Sequence, residues 1–311
     1  MKRIAYFILF LLLTGTASAQ TIIDLSKGGK VRNKTTDDYN LDEAVARRIK
    51  KDSLAYNDRL TLAFNALNAD SLSEAESLFK EALKLRPDAK GNHVVRANLG
   101  RIAYVRNDYR KAETYFSEAL KADPDMDDVR FLRAQCYHEM KDYRRSLEDC
   151  KILLESKRSD INTKQVRFLK SAAEMRLRLY ADARNDLEAI VYEDPENTSA
   201  RLLLALVDEN DGRQQMALER LDALVQGYPE LTDARVARAE LLYRMGFLDR
   251  ALIDYDAAIS AQPNDGTLYV GRAKILITLK RMTAARKDLD SAVAAGVSVS
   301  EMQSMYRALS K

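Results

Sequence analysis

The residues from Asn98 to Pro124 read NLGRIAYVRNDYRKAETYFSEALKADP, and this stretch decides the fold. Apolar and small residues recur at intervals of three and four from Val95 to Tyr104 and again from Tyr109 to Leu120, which is a helical period. Asn107-Asp108 separates the two runs and offers a side-chain acceptor for the first amides of a second helix. Pro124 cannot continue that helix. The stretch therefore predicts two amphipathic helices joined by a tight turn.

Small residues mark the side on which the two helices face each other. Gly100 and Ala112 carry almost no side chain, so the backbones can approach closely there, and Phe116 fills the space beside them. Such a hairpin leaves an apolar stripe on its far side and is stable only when stacked on similar hairpins. The same pattern should therefore recur along the chain.

Three positions of the hairpin recur at intervals of 37, 34, 37, 34, 34 and 34 residues. The small residue that opens the second helix is Ala75, Ala112, Ser146, Ala183, Ala217, Ala251 and Ala285. The small residue of the first helix is Ala63, Gly100, Ala134, Ser171, Ala205, Ala239 and Ala273. The bulky residue of the second helix is Phe79, Phe116, Cys150, Leu187, Leu221, Tyr255 and Leu289. The five prolines also share one phase, so the sequence predicts seven hairpins in register.

The unit resembles the tetratricopeptide repeat, whose pattern is Trp-x2-Leu-Gly-x2-Tyr in the first helix, then Ala-x3-Phe, Ala and Pro. The matching residues are Leu99, Gly100, Ala112, Phe116, Ala119 and Pro124. Arg96 stands where the family has Trp, and Ala103 where it has Tyr. The resemblance implies an all-α, right-handed superhelical solenoid of about seven repeats. It also implies that the first helices line a concave groove that takes a peptide or helix of a partner.

The ends of the chain differ from the repeats. Residues 1–19 have a basic start, an apolar run from Ile4 to Leu13 and small residues before Gln20, which predicts an export signal cleaved after Ala19. We expect a flexible tether at 20–40, a capping helix at 41–55, repeats over 56–297 and a second capping helix at 298–311. The expected location is a bacterial periplasm, with an extracellular location as the alternative.

Composition argues against several classes of function. Without Lys2 and Arg3 the chain has 48 basic and 47 acidic side chains, so no basic field favours nucleic acid. Only two histidines are present, and neither a glycine-rich phosphate loop nor a nucleophile motif is found. The acidic turn at 123–128 is interpreted as a solvated loop. We therefore expect neither catalytic residues, nor a metal, nor a cofactor.

Comparison of the repeats predicts four ion pairs within hairpins. Wherever a base precedes the small residue of the first helix, an Asp precedes the bulky residue of the second. The pairs are Arg133 with Asp149, Lys170 with Asp186, Arg238 with Asp254, and Arg272 with Asp288. If partly exposed, each contributes ~0.2 to 1 kcal/mol.

Arginine also stands three residues earlier in six repeats, and Tyr269 takes that place in the seventh. The arginines are Arg59, Arg96, Arg130, Arg167, Arg201 and Arg235. They either form a basic ladder for an acidic partner or pack their stems on the protein with their heads in water or on nearby carbonyls, and we favour the packing role. Cys136 and Cys150 lie on the two helices of the third repeat, where either a disulfide or two buried thiols fit the pattern.

The family resemblance projects a binding groove onto the first helices. Its residues are Phe64, Arg101, Tyr104, Phe131, Gln135, His138, Phe168, Met175, Glu209, Glu240, Tyr243 and Lys274. This set predicts a non-catalytic scaffold or adaptor of the cell envelope that binds another protein or peptide. The alternatives are an accessory protein for glycan or nutrient uptake and, last, an enzyme with a site in the groove.

Overall fold

The computed structural model describes residues 43–156 and 162–309, and these residues are helices joined by short turns. No strand occurs among them. The predicted signal at 1–19 and tether at 20–40 lie outside the described residues. The chain divides into two compact units, which in the described residues are 43–166 and 167–309.

The N-terminal unit is a stack of helix hairpins. Its helices are α1 (Glu43–Asn68), α2 (Leu72–Leu85), α3 (Asn92–Val105), α4 (Tyr109–Ala122), α5 (Asp127–Glu139) and α6 (Tyr143–Glu155). The pairs α1 and α2, α3 and α4, and α5 and α6 form the hairpins, and successive hairpins contact each other. A further helix, α7 (Thr163–Arg176), belongs to the C-terminal unit from Arg167 onward.

The C-terminal unit repeats the same arrangement. After α7 its helices are α8 (Tyr180–Glu193), α9 (Thr198–Asn210), α10 (Gln214–Gly227), α11 (Thr232–Arg244), α12 (Leu248–Ala261), α13 (Gly266–Thr278), α14 (Met282–Ala294) and α15 (Val299–Ala308). The first helices α9, α11 and α13 contact one another in sequence, and α15 contacts both helices of the last hairpin. One layer of the stack is therefore made of first helices.

Burial follows the phases read from the sequence. In all seven repeats the small residue of the second helix is fully buried, and the bulky residue is 0% exposed in every repeat except at Tyr255, which is 4% exposed. Asp108 is the N-cap of α4, and its carboxylate accepts a hydrogen bond from the Lys111 amide at 3.2 Å. The helix pairing predicted from residues 98–124 is therefore confirmed.

The turn inside each hairpin passes through one residue with positive φ. These residues are Asp70, Asn107, Lys141, Arg178, Gly212, Gly246 and Lys280, with φ between 55° and 86°. Their spacing is the same 37, 34, 37, 34, 34 and 34 residues that the buried positions show. The backbone thus gives an independent measure of the repeat, one that the sequence does not reveal because only two of the seven residues are glycine.

The boundary expected between residues 55 and 56 is not a break in the helix. Helix α1 runs without interruption from Glu43 to Asn68, so the expected capping helix continues into the first helix of the first hairpin. No glycine or proline lies in this stretch to stop the helix.

The residues of the last helix, α15, follow the same 34-residue spacing as the repeats before it. Ser298 is its N-cap, and Met302, at the phase of Leu268, is 0% exposed. Met302 packs with Ala273 and Leu289 of the last hairpin. Helix α15 therefore covers the face of α13 and α14 that another hairpin would otherwise cover.

Candidate functional site

The four predicted ion pairs all form. Arg133, Arg238 and Arg272 each donate two hydrogen bonds to their aspartates, at 2.6 to 2.8 Å, and Lys170 donates one to Asp186 at 2.5 Å. The aspartate side chains are only 2 to 9% exposed, so the contribution given for partly exposed pairs does not apply to these carboxylates.

These bases also connect neighbouring hairpins. Arg238 donates to Asp222 of the preceding hairpin at 2.8 Å, and Arg272 donates to Asp256 at 2.6 Å. Tyr306 of α15 stands at the same phase as Arg272 and donates to Asp290 at 3.0 Å. The ion-pair positions therefore hold together both the hairpins and the stack.

In the fifth hairpin the acid lies on the first helix and the base on the second, an arrangement that the sequence comparison missed. Asp208 of α9 is 0% exposed and accepts hydrogen bonds from Arg220 and Arg184, both at 2.7 Å. Arg220 stands at the phase where four of the other hairpins have Asp. The acid and base have thus exchanged helices, and a search for bases in α9 does not find the pair.

The six arginines that precede the ion-pair positions all contact the protein itself. Arg59 and Arg96 donate to glutamates, and Arg167 donates to Asp186. Arg130 and Arg235 donate to the carbonyl oxygens of Pro124 and Pro229 at 2.7 Å, and Tyr269 donates to that of Pro263 at 3.1 Å. Arg201 lies over the Tyr228 ring at 5.8 Å. Arg130 and Arg235 also lie 3.6 Å from Asp149 and Asp254. The carbonyl contacts agree with the packing interpretation, but five of the six arginines pair with carboxylates of the chain itself, which neither interpretation included.

The predicted groove residues of the N-terminal unit are largely engaged. Phe64 packs edge-on against Phe79 with ring centroids 5.3 Å apart, Tyr104 packs against Tyr109 at 5.7 Å, and Arg101 pairs with Asp128. Burial raises the pKa of Tyr104. Phe131 is half-buried.

Three of the predicted groove residues are buried and offer a partner little surface. Gln135 and His138 are 6% and 8% exposed, and Phe168 is 7% exposed. The reason is that α5 and α7 turn these side chains into the stack, where each hairpin hides part of the first-helix surface. Met175, also predicted, is half-buried.

In the C-terminal unit, the structure brings three predicted residues together in one groove of about 500 Å³. We call it the C-terminal groove. Its predicted residues are Glu240, Tyr243 and Lys274; the others are Val236, Arg244, Tyr255, Thr267, Leu268, Val270, Gly271, Ile275, Val297, Glu301, Met302 and Met305. The volume is typical of ligand sites in proteins. Its walls come from the first helices α11 and α13 and from α15.

The rim of this groove is polar and carries both charges. Arg244 pairs with Glu209 of the preceding hairpin and with Glu240 at 3.7 Å. Lys274 lies over the Tyr243 ring, 4.6 Å from its centroid, and the Tyr243 hydroxyl is 3.3 Å from that of Thr278. Burial raises the pKa of Glu209, and the Arg244 charge opposes that shift.

Two residues of the groove floor were not predicted as site residues. The edge of the Tyr255 ring, including its hydroxyl, occupies the space that a side chain at Gly271 would need, because an ideal Cβ there would lie 2.4 Å from it. Tyr255 is the one tyrosine in the bulky series, and this was the available sequence signal.

No other chemistry is evident in the described residues. They contain no group of three His, Cys, Asp or Glu side chains that could hold a metal. Within the same residues, no helix has the length and apolar character needed to cross a membrane. Cys136 and Cys150 are buried thiols, and burial raises the pKa of Cys136 to about 12.

The stacked hairpins and their buried small residues define the chain as a helical repeat protein. Two segments, 97–161 and 236–297, match the tetratricopeptide repeat model. These two segments, 127 of the 311 residues, are therefore tetratricopeptide repeats.

Solved structures show the same fold. A tetratricopeptide repeat protein from Parabacteroides merdae is 20% identical, with a TM-score of 0.69, and the match covers 83% of this chain and all of that one. A chain of the Cut9-Hcn1 hetero-tetramer of APC/C is 15% identical, with a TM-score of 0.54, over 82% of this chain and 52% of that one. No curated protein sequence matches the chain.

Proposed function

We propose that the chain is a non-catalytic scaffold of the bacterial cell envelope, and that it binds a segment of a partner protein in the C-terminal groove. The observation that carries the proposal is the groove itself, which combines apolar side chains with an aromatic and charged rim on a layer of first helices. Aromatic side chains beside a desolvated floor are the usual anchors of protein recognition.

The accessible residues of the groove support a role in binding. Lys274 is exposed, Glu240 is 28% exposed in its side chain, and Tyr243 is half-buried with its ring under the Lys274 ammonium. Most of the predicted groove residues in the N-terminal unit are buried or engaged within the protein. We therefore assign the binding function to α11, α13 and α15.

The test is capture of partners by proximity labelling in the native host, with wild type, Tyr243→Ala and Tyr192→Ala compared. Tyr192 is 89% exposed on α8 and serves as the matched control, because it is a tyrosine outside the groove. We expect at least one envelope protein to be labelled by the wild type and by Tyr192→Ala but not by Tyr243→Ala. Identical labelling by all three forms would refute binding in the groove.

The envelope location has its own test. We expect the chain recovered from a periplasmic fraction to begin at Gln20, which N-terminal sequencing would show. A chain that keeps Met1 and stays with the cytoplasmic fraction would contradict the proposal and would leave the fold unchanged.

A further inference from the structure

The junction between the first two hairpins gathers three cations around one acid. Glu76 of α2 is 9% exposed, and one of its carboxylate oxygens accepts hydrogen bonds from Lys80 at 2.6 Å and from Lys111 of α4 at 2.7 Å. The other oxygen accepts a hydrogen bond from Arg106, which also donates to the Ser73 hydroxyl at 2.9 Å. We call these five residues the first-junction cluster.

The side chains in contact within this cluster carry a surplus of positive charge. Hydrogen bonds from Lys111, Lys80 and Arg106 lower the pKa of Glu76 to about 2, so the acid is ionised at neutral pH and neutralises one of the three cations. The two lysine ammonium groups lie beside the same oxygen atom, where they repel each other. Three bases against one acid leave a net charge of +2 in a small volume.

Two further charges at the start of α4 offset each other. Asp108, the N-cap of this helix, accepts a hydrogen bond from the Lys111 amide at 3.2 Å. Hydrogen bonding to Glu76 raises the pKa of Lys111, and the Asp108 charge adds to this shift. Arg110, in the same turn of α4, is exposed and forms no ion pair in the described part of the chain. Its charge is opposite to that of Asp108, so the surplus at the junction remains.

The other acids of α2 and α4 face different neighbours. Three of them bind partners elsewhere, in the pairs Glu81 with Arg59, Glu113 with Tyr137, and Glu118 with Arg96. Glu74 stands at the phase of Lys111, and since that phase reaches back to the preceding hairpin, Glu74 points away from the second one. Asp70, in the turn before α2, is exposed and, like Glu74, forms no ion pair within the described residues, so water and salt screen both charges.

The matching junction between the fourth and fifth hairpins shows that the fold does not need such a surplus. There Arg184 stands at the phase of Glu76 and Asp211 at the phase of Arg106, so acid and base have changed places, and they pair at 2.6 Å. The ion pairs of that junction join three bases to three acids, namely Arg184, Arg213 and Arg220 with Glu188, Asp208 and Asp211. An ion-pair network can therefore link adjacent hairpins without a net charge.

The cations of the first-junction cluster are open to solvent, whereas the acid beneath them is not. The side chains of Lys80, Arg106 and Lys111 are 44%, 37% and 39% exposed, and that of Glu76 is 12% exposed. A lysine ammonium has three donors, and each of these two lysines uses one on Glu76. The remaining donors are accessible to a ligand. Glu76 holds the cations together before a ligand arrives, which lowers the ordering cost of binding.

The charge and the donors of the cluster select the kind of ligand. An anion with two charges matches the surplus, and a tetrahedral oxyanion presents several acceptors to donors that converge from three side chains. Lysine and arginine are the usual side chains that bind phosphate. A carboxylate of a partner carries one charge and would leave half of the surplus unpaired.

We propose that Lys80, Arg106 and Lys111 bind a phosphate dianion, either inorganic phosphate or the phosphate monoester of a small molecule. The Ser73 hydroxyl, whose oxygen accepts a hydrogen bond from Arg106, donates its own proton to the same group. This inference concerns residues of the N-terminal unit and does not rest on the proposed function.

The experiment titrates inorganic phosphate into the chain that begins at Gln20, by calorimetry at low ionic strength and at pH 8, where phosphate is mostly a dianion. We expect saturable binding of one phosphate. Lys80→Met and Lys111→Met should each weaken it by at least about fivefold, because a charged hydrogen bond is lost. Glu76→Gln should tighten it by about threefold or more, because the site loses its own negative charge. Lys121→Met, exposed on α4 and outside the cluster, should bind phosphate like the wild type.

The controls separate this site from general effects of charge. Sodium chloride at the same ionic strength should give no saturable heat, and equal responses to the two salts would overturn the inference. Vesicles of phosphatidylglycerol, whose diester head group carries one charge, should not bind through Lys111. Vesicle binding that Lys111→Met abolishes, without any response to phosphate, would indicate a membrane surface instead and would also overturn it.

The variants keep the inference open to refutation. Equal phosphate affinities of Lys111→Met and Lys121→Met would contradict it. Thermal unfolding of each variant without phosphate shows whether the variant is folded. If Lys111→Met is unfolded, Glu76→Gln decides, because unchanged or weaker phosphate binding by that variant would refute the argument from surplus charge.

Discussion

Arg238 of α11 and Asp254 of α12 form a two-pronged ion pair, with Nε 2.8 Å from one carboxylate oxygen and Nη2 2.6 Å from the other. The Asp254 side chain is 2% exposed. A buried carboxylate depends on its partner, because the charge cannot return to water. Breaking this pair should therefore lower the free energy of unfolding more than breaking an ion pair on the protein surface.

We expect Arg238→Met to lower the free energy of unfolding by up to ~5 kcal/mol, because the buried Asp254 then keeps only the longer ion pair with Arg235 at 3.6 Å. Arg238→Met with Asp254→Leu should recover most of the loss, because two apolar groups need no partner. Urea unfolding followed by circular dichroism measures both. Lys287→Met, at an exposed position of α14, is the control. A single variant as stable as the double variant would contradict this account.

Because α3 and α4 approach closely at Gly100, we expect a larger side chain there to destabilise the protein. A Cβ there would lie 2.4 Å from Cε1 of Phe116, so Gly100→Ala must displace a fully buried ring. The expected cost is ~1 to 3 kcal/mol in the same unfolding measurement. Gly227→Ala in α10 is the matched control, since no heavy atom lies within 4 Å of its Cβ. The control should be neutral or more stable by up to ~1 kcal/mol. Equal effects at the two glycines would refute the packing argument.

The phases of the repeat were predictable from sequence because small and bulky residues at buried positions are chemically restricted. Ala112 and Phe116 can therefore be recognised without coordinates. The ion pairs can be predicted because a base at one position of the repeat is accompanied by Asp at another. Exposure was not predictable in the same way. Gln135 and His138 stand at inner-facing phases, yet they are buried, because the amount of first-helix surface left open depends on how closely adjacent hairpins pack.

The groove floor was missed for a related reason. Tyr255 belongs to the series of core residues, and a core position is not normally part of a site. It reaches the groove because Gly271, on the facing helix, has no side chain. Finding this contact from the sequence would require two different positions of the repeat to be compared together. Asp208 was missed because its base lies on the opposite helix from the one the other hairpins use.

A positive φ at Lys280 predicts a stabilising substitution. Its φ is 58°, and the equivalent residues of two other repeats are glycines, Gly212 and Gly246. Side chains with a Cβ are strained in this region, so Lys280→Gly should raise the free energy of unfolding by ~0.5 to 1 kcal/mol. Lys287→Gly, inside α14 of the same repeat, should lower it by ~1 kcal/mol. A loss of stability in both variants would show that the turn is not strained.

Glu174 of α7 predicts a pH dependence of stability. It is 1% exposed, and one oxygen accepts a hydrogen bond from Lys170 at 2.6 Å, while the other is buried without a donor in the described part of the chain. Burial raises the pKa of Glu174 to about 7 against the attraction of Lys170, and Asp186 and Asp182 of α8 raise it further.

The folded state therefore holds a proton on Glu174 in a pH range where the unfolded state has lost it. The contribution of Glu174 to the free energy of unfolding is fully present below its pKa in the unfolded chain, and it is lost as the pH rises from about 4.5 to about 7. Glutamine has the shape of an uncharged glutamic acid. The free energy of unfolding of Glu174→Gln should therefore equal that of the wild type near pH 4.5 and exceed it by up to ~3 kcal/mol at pH 8. Urea unfolding across this range measures the difference. The exposed Glu193→Gln should show no such trend, and parallel curves for wild type and Glu174→Gln would contradict the assignment.

The burial of Cys136 and Cys150 predicts slow thiol chemistry in the folded chain. Both are 0% exposed, and because burial raises the pKa of Cys136 to about 12, little of it is the reactive thiolate at neutral pH. A thiol reagent such as Ellman's should therefore react with neither residue in the native protein and with both once the chain is unfolded in urea. An intact mass two hydrogens lower, with no thiol released on unfolding, would instead show a disulfide between α5 and α6. Cys150→Leu tests the same point, because leucine stands at this phase in three other repeats, and the variant should leave Cys136 equally protected if no bond joins them.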